Sequence, residues 1–279
     1  MAYIPVDWEY SLRKECIRRG YSPRTIKTYS ECISKFLKFS GKTLDKIGKQ
    51  DVRLYLDNLA GRGLAGSSLN VNLMAIRFLL EDILRKNIHL NIKYSKTPEK
   101  LPVVLTKEEV KRLIGKIANW KHRLMIELMY GSGLRVSELI NLKVKDLEIS
   151  KNYGFVRGGK GNKDRMFILP KICSEKIKSL IEIENLEKEN YLFNSNRNDK
   201  YNLRSLQEII KRASKLAGIN KKVHCHTLRH SFATHLIEQG QSVSEVQSLL
   251  GHKSPETTMI YLHTSGSQMI NIKSPLDNF

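Results

Sequence analysis

Cysteine is scarce in this sequence of 279 residues, which contains four. None of them forms a C-x-x-C pair, so neither a disulfide framework nor a zinc ribbon is predicted. Long apolar runs are absent as well, and charged residues stand near the beginning, where a signal peptide would be apolar. We therefore expect a cytoplasmic protein without a membrane-spanning segment. Its cysteines are expected to be small buried residues: Cys16, Cys32, Cys173 and Cys225.

Negative charge is in short supply. The chain has 48 lysines and arginines against 28 aspartates and glutamates, a formal net charge of +20, and both halves share the excess. Such a balance indicates a polyanionic partner. Because no membrane segment is predicted, nucleic acid is favoured over a membrane surface. The alternative is a lysine-rich surface that is merely solvated.

Hydrophobic periodicity predicts four helices and no strand in the first third of the chain. The second helix has the clearest signals, since Ser22 can cap it, Pro23 suits its first position and Gly41 can end it. After the fourth helix the periodicity fades and two prolines occur, a composition typical of a linker. The predicted organisation is a helical domain at 1–92, a linker at 93–105 and a second domain at 106–279.

The second domain is predicted to be mainly helical with one short β insertion. Thr106 and Glu109 have the spacing of a capping box at its first helix. Residues 154–170 are typical of two strands around a glycine-rich turn. The predicted fold class is therefore mainly α, with a four-helix N-terminal domain and a small β-sheet in the C-terminal domain. Further helices are predicted near 172–186, 202–217, 227–239 and 243–250.

Two basic residues occupy unusual positions beside glycines. Arg135 follows a glycine-rich turn and stands just ahead of a helix, where its charge opposes the helix dipole unless an anion binds there. A salt bridge with Glu138 is the alternative. Lys160 lies in the turn of the predicted hairpin, where flanking glycines would let the backbone approach DNA. A turn lysine that is only solvated is the alternative for this residue.

A histidine-rich helix start supplies a second basic pair. His226 and Arg229 are three residues apart and therefore share a helix face. A zinc site is disfavoured, because His226, His230 and His235 lack both the H-E-x-x-H pattern and an acidic ligand. His230 and His235 are better interpreted as histidines packed in the core.

Two more candidates follow towards the C-terminus. Gly251 is predicted to end a helix, so that His252 emerges from that end. Ser254 and the proline after it are typical of a helix start, which would place Tyr261 two turns in. Taken alone, Tyr261 would more simply be a packing residue.

Taken together, these segments resemble the tyrosine recombinases, and within them the Xer type, with its archaeal branch among the candidates. The resemblance covers nearly the whole chain and implies an N-terminal SAM-like core-binding domain and a C-terminal catalytic domain that clamp DNA. It implies an active site of Arg135, Lys160, His226, Arg229, His252 and Tyr261. The motifs that carry it are G-x-G-L-R-x-S-E-L at 131–139, G-K-G-x-K at the hairpin, H-x-L-R-H-S-F-A-T-H at 226–235, L-G-H at 250–252 and Y-L-H at Tyr261.

The resemblance also implies a mechanism. Tyr261 would attack a phosphodiester and form a 3′-phosphotyrosyl ester, with His226 as the base and Lys160 protonating the departing 5′ oxygen. Arg135 and Arg229 would stabilise the negative charge that develops. Because the ester conserves the energy of the broken bond, no cofactor, metal or ATP is expected.

The implied partner is double-stranded DNA with an inverted-repeat site, bound by a tetramer on two paired sites. The tail after Tyr261, with its apolar residues Met269, Ile270 and Ile272, would link the subunits. The absence of an arm-binding domain ahead of the helices favours Xer-type resolution of chromosome dimers at a dif-like site, with a translocase regulator left open. The alternatives are an integrase of a phage, plasmid or other mobile element, a type IB topoisomerase, and a DNA-binding protein that lost the chemistry.

Overall fold

A computed structural model describes residues 7–88, 90–96, 101–158, 164–195 and 200–251. The chain divides into two compact units, Met1–Glu99 and Lys100–Phe279. Each unit encloses a hydrophobic core of its own. The described residues are mostly helical and include one small antiparallel sheet, so the predicted mainly-α fold class is confirmed.

Local capping signals define both ends of the second helix of the first unit. The hydroxyl of Ser22 accepts a hydrogen bond from the backbone N–H of Thr25 at 3.1 Å, and Pro23 fills the first helical position. The same helix ends at Gly41, whose φ of 60° is left-handed. The predicted signals of this helix are thereby confirmed. The described helices of the unit are α1 (Trp8–Arg18), α2 (Pro23–Ser40), α3 (Lys49–Gly61) and α4 (Gly66–Arg77), the last of which continues into a π-helical segment, Phe78–Ile83.

The chain after α4 folds back onto the first unit. The backbone N–H of Ser95 donates to Asn70 Oδ1 at 2.7 Å, and Asn70 Nδ2 donates to the carbonyl of Ser95 at 3.0 Å. Arg77 Nη2 donates to the carbonyl of Leu90 at 2.9 Å. These bonds attach residues 90–96 to α4, so residues 93–96 of the predicted linker at 93–105 pack on the first unit.

The second unit begins with the predicted capping box. Thr106 Oγ1 accepts from the N–H of Glu109 at 3.2 Å, and Glu109 Oε2 accepts from the N–H of Thr106 at 2.8 Å, which confirms that helix start. Just before it, the buried Leu105 donates its N–H to Ser231 Oγ at 2.9 Å. The described helices of this unit are α5 (Lys107–Gly115), α6 (Trp120–Ser132), α7 (Val136–Asn141), α8 (Lys171–Ile183), α9 (Leu203–Leu216), α10 (Cys225–Glu238) and α11 (Val243–Leu250).

Two predicted helix boundaries in this unit are wrong by a few residues. α8 ends at Ile183, three residues before the predicted end, and the chain passes through a left-handed Asn185 with φ of 48°. α10 begins at Cys225, two residues before the predicted start. Thr227 Oγ1 accepts from the N–H of His224 at 3.1 Å, so this threonine ties the preceding chain to the first turn.

The β insertion has three strands where the sequence predicted two. Strands β2 (Tyr153–Val156) and β3 (Arg165–Ile168) pair antiparallel, with Gly154 opposite Phe167. The additional strand, β1 (Leu147–Glu148), pairs with the other edge of β2. With two residues, β1 is too short to show the alternation that identifies a strand in a sequence.

Helix α6 is the central element of the second unit. It contacts α5, α7, α8, α9, α10 and β3, and its apolar residues between Leu124 and Met129 are buried. Its C-terminal end carries the glycine-rich turn that leads to Arg135, so the candidate site is attached to a helix that packs against six other elements. No helix in the described residues is long and apolar enough to cross a membrane.

Candidate active site

Three of the six predicted site residues lie in the described part of the chain. These are Arg135, His226 and Arg229. The other three predicted residues, Lys160, His252 and Tyr261, lie outside the described residues.

A tight turn places Arg135 at the start of α7. Gly133 ends α6 in a left-handed conformation with φ of 61°. A Cβ atom at this position would lie 2.5 Å from Phe232 Cδ1, so the close approach of α10 requires glycine. Arg135 then takes an extended conformation at the N-cap of α7.

Glu138 is the carboxylate around which the arginines gather. It accepts from the backbone N–H of Arg135 at 2.8 Å and from Arg135 Nη1 at 2.6 Å, so the salt bridge considered as an alternative for this arginine is present. It also accepts from Arg165 Nη2 at 2.6 Å and lies 3.8 Å from Arg229 Nη1. The Glu138 side chain is only 6% exposed. The pair is therefore part of a buried cluster of three arginines rather than an isolated surface ion pair.

Arg229 is fixed by backbone carbonyls. Its Nη1 donates to the carbonyl of Gly133 at 2.7 Å and its Nη2 to the carbonyl of Leu250 at 2.5 Å. The residue is 3% exposed. These two bonds join the turn before Arg135 to the end of α11, and they hold a permanent positive charge at a fixed place.

The end of α11 closes against the same cluster. Gly251 has a left-handed φ of 62°, which confirms the predicted helix end. A Cβ atom there would lie 2.6 Å from Arg165 Cδ. Arg165 Nε also donates to the carbonyl of Leu250 at 3.2 Å, the carbonyl that Arg229 uses. The residue before the predicted His252 therefore packs directly on the arginine cluster.

His226 lies on α10, one turn before Arg229. Part of its ring is open to solvent, but partial desolvation, followed by the charges of Arg229 and Arg135, lowers the pKa of His226 below its usual value of 6.5. At neutral pH the ring is therefore uncharged and can accept a proton.

The other two histidines of the motif are packed against protein. His235 is buried, and its Nδ1 lies 2.8 Å from the hydroxyl of Tyr130. Burial, with the charges of His226 and Arg229, lowers the pKa of His230 to about 4. Both environments suit neutral core histidines, as the sequence suggested. Among the described residues, no group of three or more histidine, cysteine or acidic side chains could hold a metal ion.

Sequence reasoning overlooked two residues of the cluster. Glu138 was considered only as a surface partner of Arg135, although its spacing of three residues from a helix N-cap is a capping signal. Arg165 was not singled out, because a basic residue in a short strand has no local signal of its own. Its partners lie 27 and 85 residues away in the chain.

Known proteins resemble both units. Residues 103–268 match the model of the phage integrase family, and residues 10–90 match that of the phage integrase N-terminal SAM-like domain. "Tyrosine recombinase XerA" of Thermococcus kodakarensis is 38% identical over 87% of this chain and 85% of its own. "Tyrosine recombinase XerD" of Oceanobacillus iheyensis is 34% identical over 96% of both chains. The crystal structure of XerH bound to a palindromic difH substrate matches with a TM-score of 0.75 and 26% identity, over 94% of this chain and 82% of that one.

Proposed function

Because the chain belongs to the phage integrase family, with Xer-type tyrosine recombinases among its relatives, we propose that it cleaves and rejoins DNA strands at a specific site through Tyr261. The observation that carries this proposal is the buried cluster in which Glu138 joins Arg135, Arg165 and Arg229. Guanidiniums held in this way can stabilise a phosphate on which negative charge develops.

The proposed reaction exchanges one phosphate ester for another. The phenol oxygen of Tyr261 attacks phosphorus, and its proton passes to the neutral ring of His226. As the bond from oxygen to phosphorus forms, the bond to the 5′ oxygen breaks and Lys160 protonates the leaving group. The product is a 3′-phosphotyrosyl ester, with His252 as a further donor to the phosphate. Attack by the 5′ hydroxyl of another strand reverses these steps and needs no external energy source.

The proposed charge stabilisation comes from the protein itself. Arg135 and Arg229 are permanently charged, and both are oriented by hydrogen bonds before any DNA binds. Preorganised donors of this kind stabilise a transition state without having to reorganise when charge develops. The proposal therefore includes no metal ion and no cofactor.

The proposed DNA site is an inverted repeat bound by two subunits, with two such sites joined in a tetramer. The relative XerH was crystallised on a palindromic difH substrate, which supports this kind of site. The proposed role is resolution of chromosome dimers at a dif-like site, as the resemblance to the Xer type implies, and XerA and XerD are among the relatives of this chain. Integration of a mobile element is the second candidate, since the family model that matches residues 103–268 is that of the phage integrases.

Formation of a covalent adduct tests the proposal. A DNA site would be selected from random-sequence duplexes by binding, then nicked so that cleavage traps the protein on DNA. We expect the wild-type protein to form an adduct that survives denaturant. Tyr261→Phe should bind the site equally but form no adduct, because only the attacking oxygen is lost, and Tyr153→Phe serves as the matched control that still reacts.

Two other results would contradict the proposal. An adduct formed by Tyr261→Phe would assign the attack to a different residue. Relaxation of supercoiled plasmids without any sequence requirement would instead indicate a topoisomerase.

A further inference from the structure

Arg165 lies at the junction of three elements of the candidate site. It is the first residue of β3, the strand that follows the hairpin turn. Its Nη2 donates to Glu138 Oε2 at 2.6 Å, at the start of α7, and its Nε donates to the carbonyl of Leu250 at 3.2 Å, at the end of α11. One planar guanidinium therefore connects the hairpin, the helix that begins beside Arg135 and the helix that ends before the predicted His252.

Both acceptors of Arg165 are shared with the proposed catalytic arginines. Glu138 Oε1 accepts from Arg135 Nη1 at 2.6 Å, and the carbonyl of Leu250 accepts from Arg229 Nη2 at 2.5 Å. Each acceptor therefore keeps a donor if Arg165 is removed. What removal would abolish is the hydrogen-bonded bridge from Glu138 to the carbonyl of Leu250, which leaves Arg229 as the remaining connection between the turn before Arg135 and the end of α11.

A buried arginine at position 165 contributes little to the stability of the fold. Its side chain is 10% exposed, and its buried Nη1 has no hydrogen-bond partner among the residues that the structure describes. Burial lowers the pKa of this guanidinium, so the surroundings of Arg165 disfavour its charge. An apolar side chain of similar length would fill the same space without leaving a donor unsatisfied. Stability alone therefore does not explain an arginine at this position, whereas its ability to donate to Glu138 and to the carbonyl of Leu250 at once does.

We propose that Arg165 is a positioning residue for the strand-cleavage reaction, which fixes Arg135 through Glu138 and holds the end of α11 against Arg229. The inference rests on the proposed function. Arg165 does not contact the phosphate in this account. It acts by keeping the guanidiniums of Arg135 and Arg229 in fixed relative positions, from which a displacement of about 1 Å would slow the reaction by about 100-fold.

The test compares Arg165→Met with a matched variant on the same hairpin. Arg157 follows β2, is 58% exposed and pairs with Asp146 at 3.1 Å, away from Glu138. We expect Arg165→Met to slow single-turnover cleavage of the nicked substrate by about 10- to 100-fold. Binding to a half-site and the thermal unfolding midpoint should stay at the wild-type level. Arg157→Met should cleave within about two-fold of wild type, and Arg165→Lys should recover only part of the rate, because one ammonium cannot span both acceptors.

A double variant separates positioning from an independent role. Because Arg165 acts partly through Arg135, Arg165→Met should slow cleavage less in the Arg135→Ala background than in the wild-type protein. Wild-type cleavage by Arg165→Met, full multiplication of the two losses, or a loss of cleavage that only follows a lowered unfolding midpoint would each overturn the inference. A wild-type protein that forms no adduct would refute the proposed function itself. The results with the Arg165 variants bear only on the positioning role, so the two failures can be told apart.

Discussion

His226 brings to the site a ring whose charge depends on its neighbours. Partial desolvation and the nearby arginines lower its pKa below 6.5, so the neutral form persists into mildly acidic solution. A base acts in its neutral form, and cleavage should therefore be lost only as the pH falls below that lowered pKa. The measurement is the single-turnover cleavage rate between pH 5 and 8. An acid limb centred above pH 6.5, or one that persists in His226→Asn, would contradict the assignment.

The two arginines of the site should differ in what their removal does. Arg135 is partly accessible, and Glu138 keeps Arg165 when it is lost, so Arg135→Ala should reduce cleavage by about 10² to 10³ with little change in stability. Arg229→Ala should reduce cleavage similarly but also destabilise the protein by about 1–3 kcal/mol, because the carbonyl of Gly133 loses its donor.

Cleavage rates and denaturation midpoints of both variants would check this difference, with half-site binding as the control. If DNA binding by Arg135→Ala fell as far as its cleavage, this arginine would be an ordinary phosphate anchor.

At the scale of elements, two helix ends with the same backbone geometry make a matched pair. Gly41 and Gly133 both end helices with φ near 60°, but a Cβ atom meets nothing within 4 Å at Gly41 and meets Phe232 Cδ1 at 2.5 Å at Gly133. Gly41→Ala should cost about 1–2 kcal/mol for the left-handed conformation. Gly133→Ala should cost about 1–3 kcal/mol more, because α10 must move.

Chemical denaturation of the two variants would test this expectation. The Gly133→Ala variant should also cleave more slowly, since the carbonyl of Gly133 anchors Arg229. Equal destabilisation by both substitutions would mean that the contact between α6 and α10 yields easily.

The boundaries of the helices and strands also show what the sequence could predict. Helix starts at Ser22 and Thr106 and helix ends at Gly41 and Gly251 were predicted because each depends on residues within one turn. Strand β1 was not predicted, because its two residues form a strand only by pairing with β2. The arginine motif was identified by resemblance. The spacing of Glu138 from Arg135 is a local capping signal, but its contacts with Arg165 and Arg229 depend on distant parts of the chain, which no local spacing indicates.

The whole molecule is proposed to work as a tetramer on DNA, and the tail is the proposed link. Met269, Ile270 and Ile272 lie outside the described residues, and three such side chains can contribute roughly 1.5–3 kcal/mol each when buried. Ordering the tail offsets much of this, so free subunits should not assemble early. Deleting residues 265–279 should spare binding to one half-site and reduce cooperative binding to two.

Gel-shift titrations on full and half sites would measure that cooperativity. Unchanged cooperativity in the truncated protein would place the link between subunits elsewhere.

Glu138 also sets the charge that the molecule offers to its substrate. Three guanidiniums around one carboxylate leave the described part of the cluster with two positive charges in excess. A phosphodiester carries a single negative charge, whereas the five-coordinate phosphorane formed on attack by an oxyanion carries two. In the proposed reaction, the cluster therefore complements the phosphorane better than the intact diester, and the carboxylate that orients the arginines also adjusts their net charge to that of the transition state.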